Sequence, residues 1–257
     1  MLEILLLFGV IFLILTFFYK QAICDFRINQ IEWSQRDESL LTLLHEKVPL
    51  VVRTLPSASF WTREDVLARP CFSTLPIFQE VRIPDWIQGA TADAVCPWKW
   101  DHAEKIAAVS GLKVWAEKWM NPVVIPRLLR AWMFARYQCW AGRRGMQRTF
   151  ATWTCILPVQ GEIVVSLLPE NMEAFLPAQW VGTFPGEISQ KDTPFLKDLK
   201  FVDIIVRPGN ALFLPAHWFV SWTTKDGERA QHAPAMVCTI SYHTPISLLA
   251  FNASPFT

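Results

Sequence analysis

Hydrophobic positions are spread very unevenly along this chain. Residues 4–19 form an almost unbroken apolar run, ILLLFGVIFLILTFFY, closed by Lys20. As a helix this run spans about 24 Å. With residues 1–3 and Lys20 added, the segment is long enough to cross a bilayer, its ends reaching the headgroups. After it the pattern turns mixed. Residues 30–35 are mostly polar, and residues 37–46 show helical spacing through Leu40, Leu41, Leu43 and Leu44. Residues 50–52 read as a short buried strand, and Pro49 ends the helix before it. Thr62, followed by Glu64 and Asp65, predicts an N-cap and an acidic first turn for a short helix to Ala68. A strand is predicted over 78–83.

The strongest amphipathic pattern covers 102–120, where Ile106, Val109, Leu112, Trp115 and Trp119 recur at threes and fours. Asn121-Pro122 ends that helix, and Pro126 suits the first turn of a second one running to Tyr137. From Trp140 onward short runs alternate with turns, at 151–157, 162–168, 201–206, 211–214, 220–223 and 236–242. Short strands at such spacing predict an antiparallel barrel or a double-sheet sandwich. The expected class is α+β. Residues 1–21 are the membrane helix, 22–36 a juxtamembrane linker and 37–250 one domain. Within that domain 100–138 is the helical part and 140–244 the β core.

A cleaved secretory leader is the plain alternative for the first run. It needs a positive n-region and a small-residue cleavage site. Here the n-region carries Glu3 and no Lys or Arg, and the exit Tyr19-Lys20-Gln21-Ala22-Ile23-Cys24 has no A-x-A pattern. The stretch is also neither Arg-rich nor amphipathic, as a matrix presequence is. An uncleaved single-pass anchor is therefore expected. Lys20, Arg27 and Arg36 follow it, so the positive-inside rule puts the domain in the cytosol or a matrix. The mitochondrial inner membrane is the leading expectation.

A net charge of +1 argues against a general polyanion binder, so nucleic acid is not an expected partner. Six cysteines contain no C-x-x-C pair and sit mostly in apolar surroundings, which reads as buried free thiols in a reducing compartment. Thirteen tryptophans supply core, and also material for a protein or membrane interface.

Two stretches resemble the cupin-like, JmjC-type double-stranded β-helix family. The segment 203–222, DIIVRPGNALFLPAHWFVSW, is similar to that family's strand, tight turn, LFIP run, aromatic pair and histidine. Trp140-Ala141-Gly142-Arg143-Arg144-Gly145, followed by a strand and Val159-Gln160-Gly161, resembles its glycine-rich approach to the first metal motif and the turn after it. The resemblance covers residues 37–244. It implies a double-stranded β-helix. In active members it also implies an Fe(II) site of two histidines and a carboxylate that works with 2-oxoglutarate. That ligand set holds one face of the iron and leaves positions for co-substrate and oxygen.

Carried onto this chain, the ligand positions hold other residues. Counting back from Gly161 puts Arg148 and Phe150 at the first His and the acid. Counting forward from Gly145 puts Ala151 and Trp153 there. Neither alignment finds a ligand, since no His, Asp or Glu occurs from Lys118 to Gly161. The distal position, five residues after Pro215, is Val220, and a base used elsewhere for 2-oxoglutarate is Ile163. An arginine at such a site repels a dication. His217 remains, but one His without a carboxylate makes a poor iron site, so a loop or strand-edge histidine is expected. His243 is expected at the end of the last strand. The resemblance thus implies a degenerate member with no metal, no cofactor and no catalysis. There is no G-x-S-x-G, P-loop or H-E-x-x-H either.

One charged constellation stands out. Lys118, Arg127, Arg130, Arg136, Arg143, Arg144 and Arg148 fall in a stretch with no acid. Arg127, Arg130, Arg136, Arg143 and Arg144 read as a patch for anionic lipid or an acidic partner. The plain alternative is a solvated face paired with acids from elsewhere.

These readings converge on a non-catalytic, membrane-anchored accessory or structural subunit of a larger membrane complex. Its expected partners are other subunits and membrane lipids. A respiratory assembly is the leading instance, and a membrane-linked viral shell an alternative. A hydroxylase with unusual ligands would need His217, His243 and a carboxylate to converge on the barrel interior. A lipid- or metabolite-binding protein would need Arg148 to point into an open cavity. The scaffold needs that cavity filled by Phe150, Trp153 and other large side chains.

Overall fold

A computed structural model of the chain describes residues 2–21, 26–78, 81–225 and 233–254. Helix Leu2–Lys20 is long and apolar enough to cross a membrane, and its apolar window Glu3–Lys20 is buried nowhere by the rest of the chain. Residues 22–25 of the expected linker, Cys24 among them, lie outside the described residues. The remainder of that linker is part of the domain. Strand β1 (Asn29–Glu32) runs parallel to β2 (Leu50–Arg53), with Ile31 paired to Val52, and Ile31 and Trp33 are buried. A 3-10 turn and a wide π-type turn lead into helix Leu41–His45, which places Leu40 and Leu44 in the core.

A small hairpin follows, β3 (Pro76–Phe78) and β4 (Val81–Arg82). The β core then runs β5 (Phe134–Ala141), β6 (Arg144–Arg148), β7 (Trp153–Gln160), β8 (Ile163–Leu168), β9 (Val202–Val206), β10 (Ala211–Pro215), β11 (Phe219–Thr224) and β12 (Met236–His243). One sheet is ordered β1-β2-β10-β7-β12-β5 and the other β6-β11-β8-β9. Among β5 to β12, successive strands switch sheets everywhere except between β8 and β9, which gives a double-sheet jelly roll. Strand β12 lies next to the edge of the large sheet, paired to β5 on one side and β7 on the other. Its two faces follow the period of two. Thr239, Ser241 and His243 face the interior between the sheets. Tyr242 faces the helical layer, where its hydroxyl donates to Asn121 Oδ1 at 3.1 Å.

That helical layer covers the large sheet. The Trp61 indole donates to Trp140 O at 2.9 Å and the Trp98 indole to Cys139 O at 3.0 Å, so two buried tryptophans satisfy their N–H on β5. A second, smaller core forms on the outer face of the other sheet, where Trp180 and Phe219 meet edge to face at 4.8 Å among Met146, Leu168 and Ile188. All five described cysteines are free. Cys139, Cys155 and Cys238 are buried, whereas Cys71 is exposed and Cys96 partly so.

Several elements differ from the sequence expectation. The helix expected over 102–120 is two, Trp100–Ser110 and Leu112–Trp119. Gly111 between them adopts φ +100°, and the Ser110 hydroxyl accepts the Leu112 amide at 3.1 Å. Val109 lies off the buried face of the first helix, which Ala103, Ile106, Ala107 and Ser110 form, and is exposed. The helix expected from Pro126 to Tyr137 is a single 3-10 turn, Arg127–Leu129, followed by β5. Eight backbone pairs to β12 outweigh its local helical propensity. The helical part therefore ends before 134 rather than at 138. The strand expected over 78–83 is split. Gln79 and Glu80 lie outside the described residues, and Ile83 already begins helix Ile83–Gly89, with Pro84 in its first turn. Helix Pro245–Asn252 was not anticipated.

The cap at Thr62 is present. Its hydroxyl accepts the Asp65 amide at 3.1 Å and opens helix Arg63–Ala68. Thr62→Ala should cost about 1 kcal/mol. In a thermal melt this is a drop of about 2–4 °C, and an unchanged midpoint would show that the cap is not used.

Candidate functional site

The interior between the two sheets gathers several polar and ring side chains around one space. Strand β5 contributes Arg136 and Gln138, β7 Thr154 and Ile156, β11 Val220 and Trp222, and β12 Thr239, Ser241 and His243. The β6–β7 connection adds Phe150. A register irregularity between Val220 and Trp222 lets both Arg144 and Gln147 of β6 pair with inward positions of β11. The space left is ≈ 20 Å³, about one water molecule. Trp100 and Phe251 close it from the helical side and the C-terminal helix.

Of the ligand positions that the resemblance offers, Arg148 and Phe150 from one alignment, Ala151 from the other, and the distal Val220 border this space. Val220 is buried between Gln147 and Leu167. Arg148 pairs across from Phe219 and is held at the mouth by acids. Its guanidinium donates to Glu173 at 3.0 Å and 3.1 Å and forms an ion pair with Glu170. Its Nη2 lies 3.4 Å from His217 Nδ1. Of the two side chains named as fillers of the interior, Phe150 borders the space and Trp153 does not. Trp153 is not among the fillers, because Thr154 and Ile156 take the inward positions of β7 and the period of two sends Trp153 to the other face. Trp100, Trp222 and Phe251 stand in its place.

Thr149 sets the geometry of the mouth. Its hydroxyl donates to Pro215 O at 2.8 Å and accepts the Trp218 amide at 3.0 Å, and its carbonyl accepts the His217 amide at 2.7 Å. These bonds clip the β6–β7 loop to the β10–β11 turn and hold His217 at φ +70°. The end of helix Leu2–Lys20 seats on the same spot. Tyr19 donates its hydroxyl to Phe150 O at 2.6 Å, and its ring meets the His217 ring at 4.8 Å. Burial and the Arg148 cation push the His217 pKa down to about 4. His243 is likewise pushed down to about 4, first by burial and then by Arg136. Both imidazoles are thus neutral near pH 7. They do not share a carboxylate in a ligand cluster: among the described residues no three His, Cys, Asp or Glu side chains stand close enough to hold one metal ion.

The arginine patch expected from the sequence divides. Arg144 is half-buried, its guanidinium carbon 3.4 Å from the Trp140 ring centre and 5.0 Å from that of Trp100, with Nε donating to Gln147 at 2.9 Å. Burial lowers its pKa to about 10. Arg136 faces the interior, donates to Glu104 at 2.7 Å and lies over the Phe251 ring. Arg143 stacks on Phe184 and approaches Asp93 and Glu187, each at 3.9 Å. These three serve the fold and form no outward patch. Arg127 and Arg130 alone of the five are exposed.

No protein-family model matches the sequence, and no curated protein matches it. Among solved structures the chain is similar to Streptomyces albus HEPD with substrate 2-hydroxyethylphosphonate and Fe(II) bound. The identity is 8%, the TM-score 0.28, and the match covers 47% of this chain and 21% of that one. The chain therefore spans only a small part of that protein's length. The strand order, not this likeness, defines the jelly roll.

Proposed function

We propose that the chain is a non-catalytic accessory or structural subunit of a larger membrane assembly. It would consist of a degenerate cupin-like domain held at the bilayer by helix Leu2–Lys20. The observation that supports this reading is the narrow interior with an arginine tied down at its mouth. At the mouth, where a cupin-like enzyme would bind iron and co-substrate, Arg148 is tied to Glu170 and Glu173. Behind it the remaining space admits about one water molecule. A narrow interior with long connecting segments outside it suits docking better than turnover. The 169–201 segment, with its own small core, is a large outer surface of that kind.

The test is extraction from the native membrane in mild detergent, with sizing and iron analysis on the same peak. Migration at high mass with defined partners and without stoichiometric iron is the expected result. A lone particle carrying near-stoichiometric iron would overturn the proposal in favour of an oxygenase with rebuilt ligands.

A further inference from the structure

We propose that the end of the barrel preceding β5 forms a second membrane contact, resting on the headgroups of an anionic leaflet. This inference rests on the reading of helix Leu2–Lys20 as the anchor. Where that helix leaves the domain is fixed by contacts. Tyr19 is bonded to Phe150 and packed on His217, and the Lys47 ammonium donates to the carbonyls of Phe18 and Gln21. The helix also touches the C-terminal helix Pro245–Asn252.

The strand register shows what else lies at that end. Phe150 sits just before β7, whose first residue Trp153 pairs with Tyr242 near the end of β12. The next pair along is His243 with Phe134, the first residue of β5. The start of β5, the turn before it and the C-terminal helix therefore share the end at which the anchor docks.

The surface at this end is unlike a solvated rim. Leu129, Trp132, Phe134 and Leu249 are exposed, Trp132 at 64% and Leu249 at 60%. Arg127 and Arg130 are exposed in the same short turn. An indole and apolar side chains flanked by guanidinium groups match the headgroup zone. There the ring lies between water and acyl chains and the cation meets phosphate. Continuity with the anchor selects a bilayer as the occupant, because a span leaving the membrane at Tyr19 brings this turn to the surface.

The anchor helix contains no tryptophan, so lipid quenching of tryptophan fluorescence reports on the domain. The full chain is reconstituted into phosphatidylcholine vesicles with and without phosphatidylglycerol, using lipids brominated on the acyl chains. Quenching should appear, should be stronger with phosphatidylglycerol, and should be largely lost in Trp132→Phe. The double variant Arg127→Gln, Arg130→Gln should lose the dependence on phosphatidylglycerol. If the chain resists alkaline carbonate yet neither form is quenched, or both are quenched equally, the anchor stands and this contact is wrong. The turn would then be a protein interface or free surface. Release of the chain by carbonate removes the anchor, and this inference with it.

Discussion

Gly145→Ala should cost the chain its folded β core, while Gly209→Ala should lower the melting point by only about 2–8 °C. A Cβ built on Gly145 would stand 1.9 Å from Gly182 O and 2.3 Å from Gly182 C. Both are backbone atoms, so no side-chain rotation relieves the clash. The segment around Gly182 is bonded to β6 on either side of the contact: Gly182 N donates to Met146 O and Met146 N to Thr183 O, each at 2.8 Å. Moving that segment away breaks both bonds and opens the small core around Trp180. Overpacking of this kind costs roughly 3 kcal/mol or more, and each lost bond about 1 kcal/mol. Against a total of about 5–15 kcal/mol for a native domain, that is a large fraction. Gly209 has φ +84° and nothing within 4 Å of its Cβ position, so alanine there pays only the left-handed penalty of about 1–2 kcal/mol. Thermal melts followed by circular dichroism should separate the two by about 10 °C or more. Equal melting points would mean that the 180–184 segment does not lie on β6.

The sequence made the sheets legible where a strand was apolar or had a turn at both ends. Strands β7 to β12 fall close to their expected positions because a run such as 211–214 is too short for a helix and is bounded by Pro208-Gly209 and Pro215. Strands β5 and β6 were not legible for opposite reasons. In β5 the residues before Tyr137 look helical after Pro126, and only pairing with β12 reveals the period of two. In β6 the five residues Arg144-Gly145-Met146-Gln147-Arg148 carry little apolar content and read as a loop. Its strand character comes from β11, which is 71 residues or more distant in sequence along the paired positions Arg148 and Phe219. The C-terminal helix could have been found. Thr244 and Ser247 cap each other around Pro245, a start signal present in the sequence.

The candidate site was legible in part by counting. Counting from Gly161 and Pro215 gave Arg148, Phe150 and Val220, and counting from Gly145 gave Ala151 and Trp153; all but Trp153 border one interior, so the geometry does not choose between the two alignments. What closes that interior was not legible, because it is long-range. Tyr19 ends an apolar run that local analysis assigns wholly to lipid, yet its hydroxyl reaches a carbonyl 131 residues away. Packing of Arg144 among tryptophans depends on the irregularity in the β6–β11 pairing, which no local pattern encodes. A run of arginines without acids looks like a surface patch in one dimension. In three dimensions Glu104, Asp93, Glu187, Glu170 and Glu173 come from other segments to meet it.

Acidification should unfold the domain well above the pH at which its carboxylates are all protonated, and two histidines should account for much of the slope. His217 and His243 are each held down to about 4 in the fold, against an ordinary value of about 6.5 in the unfolded chain. The unfolded state therefore binds protons first. Stability is complete above about pH 6.5 and is lost as the pH falls toward 4, by up to roughly 3 kcal/mol for each histidine. The groups around them make the cause specific. His217 is buried against Arg148, with Lys47 also opposing its charge and Glu173 favouring it. His243 is buried beside Arg136, with Ser247 Oγ 3.3 Å from its Nδ1. Melting points of the full chain in detergent, taken from about pH 7.5 to 4.5, should fall steeply for wild type. They should fall less steeply for His243→Gln and for His217→Gln, and least for the double variant. Curves that run parallel would show that neither imidazole is kept neutral by the fold. The acid sensitivity would then have a source other than these two side chains.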